Sequence, residues 1–362
     1  MNLEILRLIL IILITCVFSA CIMPVMKKIA FLIGATDKPT DAEEHRHIHK
    51  KEMPKLGGVG IYLAFLLGYM LFGKYSHQMN SILIGSFIVI LTGIVDDISS
   101  IGWKKLFGHI VAASIVVFYG GLLLQNIAAF GYNIHFGILA YPITILFIIA
   151  CMNIINLIDG LDGLSGGISS IFYMTMGIIC ILQGRFGTLE ILLCFIMLGS
   201  TLGFLIHNFY PASIFAGDCS TFHGYMIAMI SLLGFKGAAL TSFFVPILIL
   251  AIPILDTLFA IVRRSLKRQP IFSPDKEHIH YQFLNMNFSQ RTTVLIIYGI
   301  NILFSLASIF YILKNSTISI ILYIVLFILL ILFVLKTSII SNKIPKKTKQ
   351  LEKKVRRKFK KA

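Results

Sequence analysis

The sequence predicts an all-α fold: a polytopic integral membrane helical bundle of about 11 transmembrane helices, N-terminus outside and C-terminus cytoplasmic. Three observations predict it. Of 362 residues, 57% are hydrophobic and 13% charged, with mean hydropathy +0.89, a balance that describes lipid-facing rather than aqueous surface. Apolar runs of spanning length recur along the chain. Lys and Arg collect on alternate sides of those runs.

The runs lie at 3–23, 56–73, 80–95, 105–124, 138–155, 167–182, 188–206, 222–235, 238–261, 293–313 and 317–335. Most approach the roughly 20 residues needed to cross a bilayer. The run at 222–235 is the weakest, being short and parted from the next by Lys236-Gly237 alone. With the amino terminus outside, the inner segments are 24–55, 96–104, 156–166, 207–221, 262–292 and the tail from 336. Counting the interfacial Lys105, they hold 7, 2, 0, 0, 6 and 12 of the 32 Lys and Arg residues. The others are Arg7, Lys74, Arg185, Lys236 and Lys314, a positive-inside distribution.

Residues 1–335 thus read as one transmembrane domain whose polar loops gather on the cytoplasmic side, and 336–362 as a basic cytoplasmic tail. The net charge of +16 lies where anionic membrane lipids would meet it. No RNA-binding signature accompanies it, so nucleic acid is not an expected partner. The first run has no positive start and is followed by Lys27-Lys28, which favours a retained anchor over a cleaved leader. The six Cys show no metal-ligand spacing and read as small apolar residues without a disulfide framework.

Most acids fall at the cytoplasmic ends of the runs. Asp96-Asp97 ends the third in "GIVDDISSIG", and Asp159 and Asp162 follow the fifth in "NIINLIDGLDGLSGG". Asp218 lies between the seventh and eighth in "NFYPASIFAGDCSTFHG", and Asp256 closes the ninth. A carboxylate at the bilayer centre costs roughly 3 kcal/mol on insertion scales, so such groups face water, a partner or a cavity. A single Asp there is most simply a solvated helix end. Five loops converging, two of them empty of Lys and Arg, call instead for a cation.

Asn153 and Asn156 are three apart and share a helix face, and Asp159 and Asp162 continue the step. Gly160 and Gly163 break the helix into a turn at the water edge. Two amides and two carboxylates are hard oxygen donors of the kind Mg²⁺ prefers, and Mg²⁺ commonly completes its shell with water and substrate phosphate. Downstream, "RRSLKRQPIFSPDKEHIHYQF" places Arg263, Arg264, Lys267 and Arg268 on one cationic face, with His278 and His280 beyond two prolines. The bland reading is positive-inside topology; the functional one is a set of donors to a diphosphate. Lys55, just before Gly57-Gly58, is either another diphosphate contact or an interfacial lysine. Asp256 and Arg263, seven apart, share a helix face and could brace the basic loop.

These four motifs, "GIVDDISSIGWKK", "NIINLIDGLDGLSGG", "NFYPASIFAGDCSTF" and "PILDTLFAIVRRSLKRQPIFSPDKEHIH", resemble in sequence and order the cytoplasmic motifs of the polyprenyl-phosphate N-acetylhexosamine-1-phosphate transferases (glycosyltransferase family 4). The Asp-Thr, Arg-Arg and His-x-His arrangement is similar to the branch that uses UDP-N-acetylglucosamine. The resemblance implies a multi-pass enzyme of the bacterial inner membrane with its active site on the cytoplasmic face. In the implied reaction undecaprenyl phosphate attacks the β-phosphate of a UDP-sugar, forming undecaprenyl-diphospho-sugar and UMP, with Mg²⁺, or Mn²⁺ in its place, as cofactor. Carried over by motif, Asp218 and Asn156 become metal ligands, and Asp159 and Asp162 border the nucleotide. Asn153 would lie beside them, Phe215 would stack on uracil, Asp96 and Asp97 would stand near the lipid phosphate, and Arg264, His278 and His280 would meet the diphosphate or sugar. A lipid-linked cell-envelope glycan would begin here, and a homodimer is compatible with the sequence.

Three departures from the family pattern stand out. Asp218 is followed by Cys219, Ser220 and Thr221 where the pattern reads Gly-Asp-x-Gly-Ser, so Ser replaces the second Gly. His278-Ile279-His280-Tyr281 replaces His-x-His-His, and the first cytoplasmic segment, with Asp37, Pro39, Arg46 and His49, is more loosely spaced. Two other classes compete: a transporter of an anionic substrate, which predicts charges near span centres and a duplicated half, and an inactive polyprenyl-phosphate-binding relative.

Overall fold

The computed structural model describes residues 2–37, 52–129, 132–236, 246–247, 250–266, 279–313, 321–329 and 332. It is a mostly helical bundle. The helices are α1 (Asn2–Ile33), α2 (Gly57–Phe72), α3 (His77–Ile98), α4 (Lys105–Ser114, continued by a π turn to Tyr119), α5 (Ala140–Ile158), α6 (Leu164–Leu182), α7 (Leu189–Asn208), α8 (Thr221–Lys236), α9 (Ala251–Leu266), α10 (Ile279–Asn285) and α11 (Gln290–Ile312). A further helical stretch covers 321–329. Among the described residues six helices are long and apolar enough to cross a membrane, namely α1, α3, α5, α6, α7 and α11. The protein is therefore a multi-pass helical membrane protein. The basic tail, the loop carrying Lys267, Arg268 and His278, and residues 38–51 of the first cytoplasmic segment, with Pro39, Arg46 and His49, lie outside the described residues.

Two details depart from an all-α reading. A two-residue ladder joins β1 (Thr36–Asp37) to β2 (Met53–Pro54), pairing Thr36 with Pro54 and Asp37 with Met53. A hairpin of β3 (Asn126–Ala129) and β4 (Tyr132–His135) follows α4, which stops at Tyr119 where the fourth apolar run continues to 124. Gly120 and Gly121 end it, and Gly121 takes φ +60°, which a non-glycine residue rarely adopts.

The first run also extends beyond its expected end. Apolarity falters at Pro24 and Lys27-Lys28, yet α1 continues to Ile33. Proline is tolerated in membrane helices whose freed groups find other partners. Here Lys27 Nζ donates to Ser213 Oγ (2.6 Å), which gives the ammonium a polar partner, while Met23, Met26 and Ala30 are buried.

The shortest run, at 222–235, proves to be the best buried. α8 packs against α3, α5, α6 and α7, and every residue from Thr221 to Gly234 is buried. A helix surrounded by protein need not be apolar on any lipid-facing side. His223 meets the Tyr173 hydroxyl (3.2 Å), and Tyr225 donates to the Ile82 carbonyl (3.0 Å). α1 does the opposite, exposing Leu3, Leu6, Leu10, Leu13 and Val17 along one face. Small residues let the backbones approach, as is usual between membrane helices. A Cβ on Gly224 would run into the Cys151 carbonyl of α5, and one on Gly68 would lie 2.6 Å from Thr15 of α1. All six cysteines are free thiols, four of them buried.

These contacts give a paired test. Gly224→Val should lower the unfolding temperature in detergent by an amount corresponding to about 1–3 kcal/mol of overpacking. Gly299→Ala, at a helical position of α11 with no atom within 4 Å of the new methyl, should leave it unchanged or raise it.

Candidate active site

The site is built around a short 3-10 turn, Gly217–Ser220, that joins α7 to α8 by way of loop 209–216. Gly217 adopts φ +70°, and a Cβ there would collide with the Lys55 carbonyl and the Asp97 carboxylate. Only glycine fits that position. The loop's backbone is tied to the start of α2: Phe215 N donates to Pro54 O (2.8 Å), Gly57 N to Phe215 O (2.8 Å) and Gly58 N to Ala216 O (3.1 Å). Cys219 is wedged between two helices, since a Cβ on Gly58 would sit 2.5 Å from its Cβ and one on Gly93 would sit 2.8 Å from its Sγ. The Gly57-Gly58 pair is thus a packing device for this loop.

Asp97, at the end of α3, fastens the turn. Asp218 N donates to both of its carboxylate oxygens, each at 3.0 Å. Asp96, one residue earlier, accepts from Ile101 N (2.7 Å) and Gly102 N (3.3 Å) through Oδ1. Its Oδ2 meets Lys105 Nζ at 3.1 Å, and the same ammonium lies 3.0 Å from Asp218 Oδ1. Asn156 Nδ2 donates to Asp218 Oδ1 (3.1 Å) and to Ser220 Oγ (3.0 Å). The structure therefore brings Asp96, Asp97, Asn156 and Asp218 together from α3, α5 and the 3-10 turn.

The remaining candidates sit around this cluster. Asp159 follows α5 and accepts a short hydrogen bond from the Ser165 hydroxyl. Burial pushes its carboxyl up to about 7, with Asp218 and Asp162 adding to the rise and the Ser165 hydroxyl opposing it. Burial likewise holds the Asp218 carboxyl above the usual range, Asp96 acting in the same direction and Lys105 against it. Asp162 is 2% exposed and accepts from Ala212 N (2.9 Å), and Asn208 accepts from Gly163 N (3.0 Å) while donating to Ile214 O (2.9 Å). Asp162 and Asn208 thus sew the glycine turn to loop 209–214. The Asn153 amide turns back onto the Ile149 carbonyl of its own helix (2.8 Å).

Phe215 is half-buried, and Lys55 pairs with Asp37 at 3.6 Å across the β1–β2 ladder. Arg264 is buried in the last turn of α9. Asp256 accepts from Ile279 N (2.8 Å), so it braces the far end of the basic loop by capping α10. His278 lies outside the described residues, and His280 is placed on α10 by its backbone alone.

Reading the loops for carboxylates alone misses Lys105, Ser165 and Ser220. Lys105 was legible as a basic residue nine positions after Asp96, but it counted there only toward topology. Its ammonium lies where a cation would balance Asp96 and Asp218. Among the described residues no three His, Cys, Asp or Glu side chains converge as a metal-holding group. The donors present are the Asp218 carboxylate on the turn and the Asn156 amide of α5, whose N–H now faces Asp218; so few protein ligands suit a cation such as Mg²⁺ that keeps most of its shell as water and phosphate oxygen.

A membrane bundle with this acid cluster, in these motifs, defines a class of enzyme: the model of glycosyl transferase family 4 matches residues 79–235. The chain belongs to this family, the polyprenyl-phosphate N-acetylhexosamine-1-phosphate transferases. It is 38% identical over 309 residues to a Bacillus subtilis (strain 168) protein named "Probable undecaprenyl-phosphate N-acetylglucosaminyl 1-phosphate transferase", covering 84% of each chain. It is 30% identical to the Mycobacterium leprae (strain TN) "Decaprenyl-phosphate N-acetylglucosaminephosphotransferase", over 75% of this chain and 77% of that one. It is 26% identical to the Yersinia pestis "Undecaprenyl-phosphate alpha-N-acetylglucosaminyl 1-phosphate transferase", over 77% and 78%.

The Lys105 bridge carries a pH-dependent prediction. Asp218 is raised in the folded state, and removing Lys105 takes away the charge that opposes the rise. A raised carboxyl stabilises the fold relative to the unfolded chain at low pH and loses that contribution as pH climbs through its folded value. Lys105→Met should therefore lower the unfolding temperature more at about pH 8 than at about pH 5.5.

Proposed function

We propose that this protein transfers N-acetylglucosamine-1-phosphate from UDP-N-acetylglucosamine to undecaprenyl phosphate, releasing UMP, with Mg²⁺ as cofactor. The observation that carries the reading is the cluster in which Lys105 bridges Asp96 and Asp218, Asn156 donates to Asp218 and Asp97 holds the Asp218 backbone, in a chain related over most of its length to transferases named for undecaprenyl phosphate and N-acetylglucosamine. The reading includes an eleven-span topology with the amino terminus outside, in which the loops carrying Asp96, Asp159, Asp162 and Asp218 would face the cytoplasm. The same chemistry on another UDP-N-acetylhexosamine, or on the phospho-muramoyl-pentapeptide donor, is the second reading. Tyr281, standing where the family pattern has a further His, bears on which sugar is used, and it counts against the phospho-muramoyl-pentapeptide donor, whose branch follows a triple-His pattern. A transporter is disfavoured, because the acids sit at helix ends rather than at span centres.

Phosphoryl transfer depends chiefly on positioning and charge stabilisation. Asp218 and the Asn156 amide oxygen would hold Mg²⁺, which when bound neutralises the donor diphosphate. Lys105 gives the two carboxylates a counter-charge and is free to swing toward phosphate when they take a cation. Asp97 acts through the turn, holding the Asp218 backbone so that its carboxylate faces the cluster. Asp96 stands near the accepting phosphate. That phosphate has a second pKa near 6 and is already largely ionised at neutral pH, so the reaction does not require Asp96 to remove a proton. Asp159 and Asp162 border the nucleotide through the glycine turn, Phe215 offers a face for uracil, and Arg264, His278, His280 and Lys55 supply charge along the diphosphate and sugar.

Purified protein incubated with Mg²⁺, undecaprenyl phosphate and a series of radiolabelled UDP-sugars should give labelled lipid and UMP with UDP-N-acetylglucosamine. Labelled lipid from a different donor would reassign the sugar; no lipid product from any donor, with folding in lipid verified, would overturn the reading. Asp96→Asn and Asp97→Asn should each cut turnover by about 100-fold or more, as expected when groups that position the reacting parts are lost, while the protein still inserts and folds. Full activity in both would remove their assigned roles.

A further inference from the structure

The turn between α5 and α6 ends on a residue that cannot cap the helix it opens. Gly163 precedes α6 in a left-handed conformation (φ +79°) that favours glycine, so α6 starts without a side-chain cap. Groups from other elements hold it instead. Asn208 of α7 accepts from Gly163 N, and the Tyr298 hydroxyl of α11 donates to Gly163 O. That carbonyl also takes the first helical bond of α6, from Gly167 N (2.8 Å), so both of its lone pairs are used.

Tyr298 reaches this carbonyl only because α6 leaves room for it. α11 packs along α6, and a Cβ on Gly167 would fall on the Tyr298 ring and hydroxyl. Gly167 therefore admits the phenol, as Gly163 permits the turn. What hangs on the turn is the nucleotide side of the site. Asp162 Oδ2 accepts from Ala212 N (2.9 Å), and Asn208 Nδ2 donates to Ile214 O (2.9 Å). The turn and loop 209–215, with Phe215 at its end, are thus one hydrogen-bonded unit. Tyr298 ties that unit to α11, the helix that follows the basic loop and α10.

We propose that Tyr298 is a positioning residue for the donor nucleotide: its hydroxyl fixes the Gly163 carbonyl, and with it the turn that sets Asp159 and Asp162 against the UDP moiety. This rests on the nucleotide role given above for Asp159 and Asp162, and it is independent of where a metal binds. The hydroxyl acts through the turn, so its loss weakens donor binding and leaves the chemical step and the lipid acceptor unaffected.

Equilibrium dialysis of radiolabelled UMP against the purified full-length protein tests this, with steady-state kinetics for both substrates and thermal unfolding recorded for each variant. Tyr298→Phe keeps the ring against Gly167 and removes only the hydroxyl. It should weaken UMP binding and raise KM for UDP-N-acetylglucosamine about threefold to tenfold, the worth of one hydrogen bond, with kcat and KM for undecaprenyl phosphate unchanged. Tyr323→Phe, which removes a comparable bond to Ser308 Oγ (2.9 Å) further along α11, should alter neither UMP binding nor either KM. Asp162→Asn, which keeps an oxygen for the Ala212 amide, should weaken UMP binding. If Asp162→Asn weakens UMP binding but Tyr298→Phe does not, the positioning role is overturned and the nucleotide reading stands. The same holds if Tyr298→Phe raises both KM values alike, or if Tyr323→Phe matches its effect. If Asp162→Asn binds UMP as the unaltered protein does, or that protein binds none, both are overturned.

Discussion

The grip of Asp97 on the backbone N–H of Asp218 is the interaction on which the site depends. It joins the end of α3 to the start of α8, and through it the Asp218 carboxylate is presented to Lys105, Asn156 and Asp96. The turn has little freedom of its own. Gly217 has no room for a side chain, Cys219 is wedged between Gly58 and Gly93, and Phe215 and Ala216 are bonded to the entrance of α2. Three helices and one loop therefore set the position of a single carboxylate. Such over-determination is what a site needs if it is to avoid reorganising as charge develops.

The membrane explains why so much packing is devoted to one loop. Helices in lipid gain no hydrophobic advantage from meeting each other, so close approach at small residues and interhelical hydrogen bonds must hold them. α8 illustrates this, being enclosed on all sides and tied by Tyr225 to α3 and by His223 to α6. Because α8 begins where the Asp218 turn ends, the rigidity of the bundle passes directly into the site. On the other side of the cluster, the Asp159–Gly163 turn is secured by Ser165, Asn208 and the Ala212 amide, and the Tyr298 hydroxyl of α11 reaches the Gly163 carbonyl.

Hydropathy made most of the bundle legible because lipid contact imposes apolarity on the outer faces of α1, α3, α5 and α11. It was least informative for α8, whose neighbours are protein, and at Pro24, where tertiary contacts carry α1 onward. The short ladder and the hairpin left no trace because two or four residues make no periodic pattern. The acids of the site were readable, since charge at a span's end asks for a reason. Their division of labour was less so: Asp97 and Asp162 spend their oxygens on backbone amides of distant loops, and Ser165 and Ser220, the latter marked only as a departure from the family pattern, show their partners once the fold brings them six and sixty-four positions across to Asp159 and Asn156. Lys105 looked like one more interfacial base because its meaning lies in two carboxylates, one of them 113 residues away.

In the proposed mechanism a divalent cation takes the position now shared by Lys105, Asp96 and Asp218. The most direct measurement is an experimental structure of the protein with Mn²⁺, its metal located by anomalous scattering. The expected peak lies at coordination distance from an Asp218 carboxylate oxygen and the Asn156 amide oxygen, with the amide turned from its bond to Asp218 and the Lys105 ammonium displaced from its bridge. A bound metal elsewhere, or an intact Lys105 bridge in crystals saturated with Mn²⁺, would contradict it.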